Sequence, residues 1–272
     1  MKNSNESVKS RGVVVFAFDT DSVQYTKIAD LTARLVQKNL NLPVTIITDR
    51  QSRFEFEFDN IIYYDPAEGN TRTTATHQTL KWRNFDRYMV YDLTPYDQTI
   101  LLDTDYLVLS DSLLKLLDTP HDYLLQHHST SDVGLDYSRM GPVGLPFVWA
   151  TTVIFNKCDR SQMLFNLVAR VQRNYNYYRA LYHISDGNYR NDYAFAIANN
   201  ILNGYSLEQD QTIPWPMFTL DKTVERMQAD SKFIYIQYGD QHPATVTPHM
   251  DLHILDKQYL QTEEFAALIK SL

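Results

Sequence analysis

The sequence predicts an α/β protein with a mostly parallel central sheet flanked by helices, and three observations carry that expectation. Val13 to Phe18 is a continuous apolar run without polar alternation, as a strand covered on both faces requires. Ile28, Leu31, Leu35 and Val36 follow at helical spacing, and Pro43 then precedes the β-branched run from Val44 to Thr48, which completes a β-α-β unit. Thr99-Ile100-Leu101-Leu102 is a further apolar strand, and it runs directly into Asp103-Thr104-Asp105.

The other elements follow in chain order. Met1 to Gly12 is polar and reads as a flexible tail without the apolar stretch of a secretory signal. Asp19 to Ser22 is a polar turn after the first strand. Ile61 to Tyr64 is a short third strand, Glu68 to Thr76 a loop, and His77 to Tyr91 a helix leading to the fourth strand. In the second half, Leu124 and Leu125 mark a strand, the Gly- and Pro-bearing stretch from Gly134 to Pro146 a loop, and Phe147 to Phe155 a buried strand. Helices are expected over 161–182 and 191–202, a strand over 233–238 and an amphipathic helix over 261–272. Ile213-Pro214-Trp215-Pro216 is excluded from regular structure, because each proline lacks a donor and restricts its predecessor. No repeat or linker divides the chain, so residues 13–272 read as one domain, with a half over 13–110 and a second over 111–272.

With 25 Lys and Arg against 33 Asp and Glu, the 272-residue chain carries a formal charge of −8, which argues against a broad nucleic-acid face. A composition of 44% hydrophobic and 21% charged residues excludes a disordered or fibrous chain. The single cysteine, Cys158, excludes an internal disulfide framework and a Cys-rich zinc site. No run approaches the roughly 20 apolar residues of a membrane helix, so the expected location is the cytoplasm. Tyrosine is abundant, with 19 residues, and Tyr175, Tyr177, Tyr178 and Tyr182 form a cluster suited to packing or to a recognition surface.

The strongest local feature is the pair Asp103 and Asp105. Two carboxylates at the end of a buried strand are costly to leave unpaired, and a hard divalent cation is their natural partner. Ligands of open α/β sheets sit at the carboxyl ends of strands, which is where this pair falls. The competing reading is a strand that simply ends in an acidic turn.

The stretch from Leu93 to Ser110, Leu-Thr-Pro-Tyr-Asp-Gln-Thr-Ile-Leu-Leu-Asp-Thr-Asp-Tyr-Leu-Val-Leu-Ser, resembles the D-x-D signature of GT-A glycosyltransferases, especially the glycogenin-like and bacterial galactosyltransferase-like group. Looser likenesses follow in the same order from Val13 to Lys257. The resemblance implies a GT-A type, Rossmann-like sheet, a Mn²⁺ or Mg²⁺ ion on Asp103 and Asp105, and a nucleotide-sugar donor, a UDP-sugar above all. It places Asp103 and Thr104 near ribose and donor sugar, and Asp105 as the firmer metal ligand. Pro248 to Lys257 resembles the group's C-terminal His and Lys element without its glycine and with a shorter spacing. By this likeness His253 is a third metal ligand and Lys257 a phosphate contact, with His249 competing for the metal role. The His-Met-Asp-Leu-His run is not a zinc helix, because Asp251 is not where the general-base Glu belongs.

Further expectations rest on the same resemblance. Phe18, Asp19, Thr20 and Tyr25 fall where relatives grip base and ribose; the alternative is that Asp21 or Ser22 caps the first helix. Lys81, Arg83 and Arg87 precede the D-x-D, with Arg83 and Arg87 on one helical face and an Arg at the distance where relatives keep a Lys; guanidinium groups suit a diphosphate. Thr151 and Thr152 stand where the group has Asn and Gly in the donor-sugar pocket. Asp192 is the candidate for acceptor orientation or base catalysis, against a helix cap. Trp215 is a rigid platform or a core plug.

These residues imply a metal-dependent transferase that moves a sugar from a nucleotide donor to a hydroxyl acceptor: a glycan, a lipid-linked sugar, a protein side chain or a modified nucleic-acid base. The resemblance leans toward retention of configuration. A nucleotidyltransferase is the enzymatic alternative, although the turn after the first strand lacks a glycine-rich phosphate loop. A nucleotide-sugar-binding protein with a decayed site is the non-enzymatic one.

Overall fold

The computed structural model describes residues 9–65, 71–73, 79–81, 83–131, 139–140, 145–185, 187–206, 211–239 and 243–272. Most of the expected tail, most of the 68–76 loop and residues 134–138 and 141–144 of the 134–146 loop lie outside them.

The first half contains β1 (Arg11–Phe16), α1 (Tyr25–Leu40), β2 (Val44–Thr48), β3 (Asn60–Tyr63), a small antiparallel pair β4 (Thr71–Thr73) and β5 (Thr79–Lys81), α2 (Val90–Leu93), β6 (Gln98–Leu102) and β7 (Tyr106–Leu107). After these come α3 (Ser112–Leu117), β8 (Tyr123–Gln126), β9 (Ser129–Ser131), β10 (Arg139–Met140), β11 (Leu145–Pro146), β12 (Trp149–Asn156), α4 (Asp159–Arg173), α5 (Tyr175–Leu181) and α6 (Asn191–Leu202). The chain closes with β13 (Met217–Leu220), β14 (Val224–Ala229), β15 (Phe233–Tyr238), β16 (Thr245–Pro248), β17 (Leu252–Ile254), α7 (Lys257–Leu260) and α8 (Glu263–Ser271).

The central sheet has the order β3-β2-β1-β6-β12-β8. β3, β2, β1 and β6 pair in parallel, and β12 runs against both β6 and β8, so it alone is reversed. The apolar runs of β1, β2, β6 and β12 are buried on both faces, as their lack of alternation requires. A second sheet, β7-β17-β13-β9, crosses the carboxyl end of β6 through β7. The antiparallel β14-β15-β16 packs a second apolar cluster against α1, α7 and α8, with Ile28, Leu35, Ile236 and Phe265 inside. No helix among the described residues is long and apolar enough to cross a membrane.

Three expected helices differ, and the expected loops over 68–76 and 134–146 carry the short strands β4, β10 and β11. In place of a helix over 77–91 the described residues hold β5, a 3-10 turn at Arg87–Met89 and the single turn α2; residues 77, 78 and 82 lie outside them. Asp86 is drawn into side-chain bonds, accepting from Tyr64 and Gln172, and Pro95 forces Thr94 into extended backbone that ends α2. The helix expected over 161–182 begins at Asp159 and breaks at Asn174, whose amide donates to the Arg170 carbonyl at 2.9 Å in competition with the helical ladder. The C-terminal helix starts at Glu263 because Thr262 caps it, its hydroxyl accepting from the Phe265 N–H.

Candidate functional site

β6 delivers Asp103, Thr104 and Asp105 to the carboxyl edge of the central sheet. The turn is held at each residue: Asp103 N–H donates to the Thr151 carbonyl at 2.9 Å, the Thr32 hydroxyl to the Thr104 carbonyl at 2.5 Å, and Ile254 N–H to the Asp105 carbonyl at 3.0 Å. The chain then turns back into β7, which pairs antiparallel with β17 so that Tyr106 faces His253. Two stretches about 150 residues apart in sequence meet at this edge.

Arg87 and Asp103 form one half of the site. The Arg87 side chain is 1% exposed, and its Nη1 lies 2.5 Å from Asp103 Oδ1 while Nη2 donates to the Ala150 carbonyl at 2.9 Å. Its Nε is buried and has no hydrogen-bond partner among the described residues. Asp103 keeps 31% side-chain exposure, so it has both a buried cation and access to solvent. Burial and the nearby Asp105 raise its pKa against the pull of Arg87.

Asp105 is the deeper carboxylate, at 8% side-chain exposure, and Lys257 and His253 surround it. Lys257 Nζ contacts Asp105 Oδ2, and His253 Nε2 lies 3.6 Å from the same oxygen. Burial alone would raise its pKa, but these two neighbours hold it well below the usual carboxylate range. Lys257 is likewise disfavoured by burial yet kept charged by Asp105. Asp105 Oδ1 is buried and has no hydrogen-bond partner among the described residues. His253 is oriented by Thr219, whose hydroxyl is 3.3 Å from Nδ1, and by the Trp149 ring in edge contact at 5.9 Å.

A divalent cation fits this chemistry. Two carboxylates and an imidazole are a donor set suited to Mn²⁺ or Mg²⁺, and Asp105 Oδ1 is a buried acceptor that calls for a cationic or hydrogen-bonding neighbour. Among the described residues no three such side chains already stand as a complete ligand group.

The remaining expected residues are placed as follows. Thr104, Thr151 and Thr152 are buried at the turn and on β12. Both Asp192 oxygens are engaged: Oδ1 accepts from Ala150 N–H at 2.9 Å, and Oδ2 from Arg190 at 2.6 and 2.9 Å. Arg83 is paired with Asp49, which follows β2, and not with Asp103. Asp19 accepts from the backbone and hydroxyl of Thr26, both at 2.9 Å, so it serves the first turn of α1, and neither Asp21 nor Ser22 makes a cap bond to that helix. Phe18 is buried beside Phe16; Thr20 folds back onto Val23; Tyr25 is half-buried near Lys257. His249 bonds the Asp230 carbonyl, so of the two histidines only His253 meets Asp105. Trp215 is half-buried against the main core. Tyr175 and Tyr178 are buried, whereas Tyr177 is exposed. Nothing is described of the Lys81 side chain.

Four contributors escape a sequence reading: Arg190, Thr219, Trp149 and Asp251. The first sits two residues before Asp192 and is findable as a short-range ion pair. Thr219 reaches His253 through the pairing of β13 with β17, and Trp149 through a ring contact between the two sheets.

No protein-family model and no curated protein sequence matches the chain. Among solved structures, the galactosyltransferase LgtC, in complex with donor and acceptor sugar analogues, superposes with a TM-score of 0.52 at 14% identity, over 96% of both chains. An active-site mutant of LgtC superposes with a TM-score of 0.54 at 15% identity over the same shares. The glycosyltransferase GlyE of Streptococcus pneumoniae gives a TM-score of 0.40 at 15% identity, and the chain spans 45% of its length. The chain therefore has the GT-A fold of LgtC over nearly its whole length.

Proposed function

We propose that the protein is a metal-dependent glycosyltransferase of the cytoplasm that moves a sugar from a UDP-sugar to a hydroxyl acceptor. The observation that carries this reading is the D-x-D turn at the end of β6, where Asp105 meets His253 and Lys257 while Asp103 meets Arg87. When bound, the metal would offset the negative charge that grows on the departing diphosphate. Asp103, Asp105 and His253 would hold it. Lys257 would leave Asp105 for a phosphate oxygen, an exchange of one anion for another that keeps its charge paired. Arg87 would hold Asp103 in place through their ion pair.

Thr104, Thr151 and Thr152 would line the donor side, and Tyr25 would cover the base. Phe18, Asp19 and Thr20 shape that side through the turn before α1, and Arg83 borders it from its pair with Asp49. Asp192 is held from two sides: Arg190 occupies Oδ2 with two donors, whereas Oδ1 accepts from Ala150 N–H and has a second lone pair. It is therefore suited to orient an acceptor hydroxyl, which a glycan, a lipid-linked sugar or a protein would supply.

Calorimetric titration with UDP tests the reading. Binding is expected with Mn²⁺ present, and at least ten-fold weaker after chelation or in Asp105→Asn. No UDP binding with Mn²⁺, or binding indifferent to the metal, would overturn it.

A further inference from the structure

Asp251 lies between the two histidines of the His-Met-Asp-Leu-His run and takes no part in the proposed chemistry, yet it is 8% exposed and almost fully bonded. Its Oδ1 accepts from Leu109 N–H at 2.8 Å, Ser110 N–H at 2.9 Å and the Ser110 hydroxyl at 3.0 Å. Its Oδ2 accepts from the Tyr106 hydroxyl at 3.3 Å. All four donors belong to the segment that leaves the D-x-D, and Asp251 itself is two residues before His253.

The ladder that joins these segments is short. β7 and β17 share two register pairs, Leu107 with Leu252 and Tyr106 with His253, closed at the far end by the Ile254 N–H bond to the Asp105 carbonyl. Side chains alternate along a strand, so slipping β17 by one residue would turn His253 to the opposite face and bring Leu252 or Ile254 toward Asp105. Two pairs give weak protection against such a slip. A buried carboxylate with three donors on one oxygen gives strong protection, because charged acceptors make the stronger hydrogen bonds and a shifted register would leave the carboxylate buried and unpaired.

We infer that Asp251 is a positioning residue that locks the register of β17 against the strand leaving the D-x-D and so keeps His253 on Asp105. This rests on the proposed metal role of Asp105 and His253. It adds that the affinity for the cation depends on a side chain that does not touch the cation.

The test compares Mn²⁺ affinity, read by electron paramagnetic resonance of the free ion, with amide hydrogen exchange over residues 105–107 and 252–254. Asp251→Ala is expected to weaken Mn²⁺ at least ten-fold and to speed exchange in both strands. Asp30→Ala serves as the control for general destabilisation, because Asp30 is also buried and accepts from the Glu55 and Phe56 amides beside a different loop. It is expected to leave both readouts unchanged. Should Asp251→Ala not fold, Asp251→Asn, which keeps the shape and one acceptor oxygen, is expected to weaken Mn²⁺ about three-fold or more. Mn²⁺ affinity within two-fold of wild type in the folded Asp251 variant, or equal losses in Asp30→Ala, would overturn the inference. If wild type binds no Mn²⁺, the proposed function fails instead, and exchange alone decides: selective loss of protection in the Asp251 variant supports the register lock, and unchanged protection overturns it.

Discussion

His127 shows how a single side chain can carry a pH dependence unrelated to the proposed chemistry. It is 1% exposed, and because a carbonyl can only accept, its Nδ1 donates to Phe147 O at 2.9 Å and leaves Nε2 unprotonated and without a partner among the described residues. Burial pushes its pKa down to about 4 from the ordinary 6.5, only partly opposed by that hydrogen bond. The unfolded chain therefore takes up a proton near pH 6.5 that the folded chain refuses until about pH 4, so stability falls as pH drops through this window. At about 1.4 kcal/mol per pH unit, the loss from this one group is on the order of 3 kcal/mol. His127→Asn, whose amide replaces the Nδ1 donor, is expected to flatten the wild-type decline in urea midpoint between pH 6.5 and 4; parallel declines would show that His127 is not its source. The sequence does not reveal this residue, because its burial depends on β8 lying beside β12. Asp103 and Asp105 are legible, since two acids ending an apolar strand stand out locally. Arg83 and Asp19 are legible as residues but not as to partners: the first is taken by Asp49 and the second by Thr26, both through folding that spacing does not encode.

Among the elements, β1 depends on a glycine for a close approach. A Cβ on Gly12 would lie 2.3 Å from the Tyr96 ring, which packs flat over that strand and is anchored by a 2.8 Å bond between its hydroxyl and Thr45. Gly12→Ala is expected to cost about 1–3 kcal/mol in urea unfolding, because the buried ring has to shift; an unchanged midpoint would mean that the ring moves freely. Elements with a strong apolar period were readable to within a residue or two, as α6 and β15 show. The stretch before the D-x-D was not. Its apolar residues suggest a helix, but the Asp86 side chain, the Asn191 side chain that donates to the Asn84 carbonyl, and Pro95 direct the backbone into short turns, and a periodicity count does not weigh such side-chain bonds.

At the scale of the molecule, the parallel core was legible because strands buried on both faces write unbroken apolar runs. The second sheet was not, because β7, β9 and β17 are two or three residues long and are held only by pairing with partners distant in sequence, β7 with β17 and both β17 and β9 with β13. That sheet brings the C-terminal segment to the D-x-D, so half of the proposed site depends on the part of the fold that local sequence describes least. The acidic balance of the chain also takes on a different meaning: a net charge of −8 does not oppose an anionic ligand when Arg87 and Lys257 stand at the receiving edge. The most direct measurement is release of UDP from a panel of UDP-sugars in the presence of Mn²⁺ and without added acceptor. Release from at least one donor is predicted, abolished by chelation and by Asp105→Ala, whereas no release from any donor, or release that survives both treatments, would contradict the account.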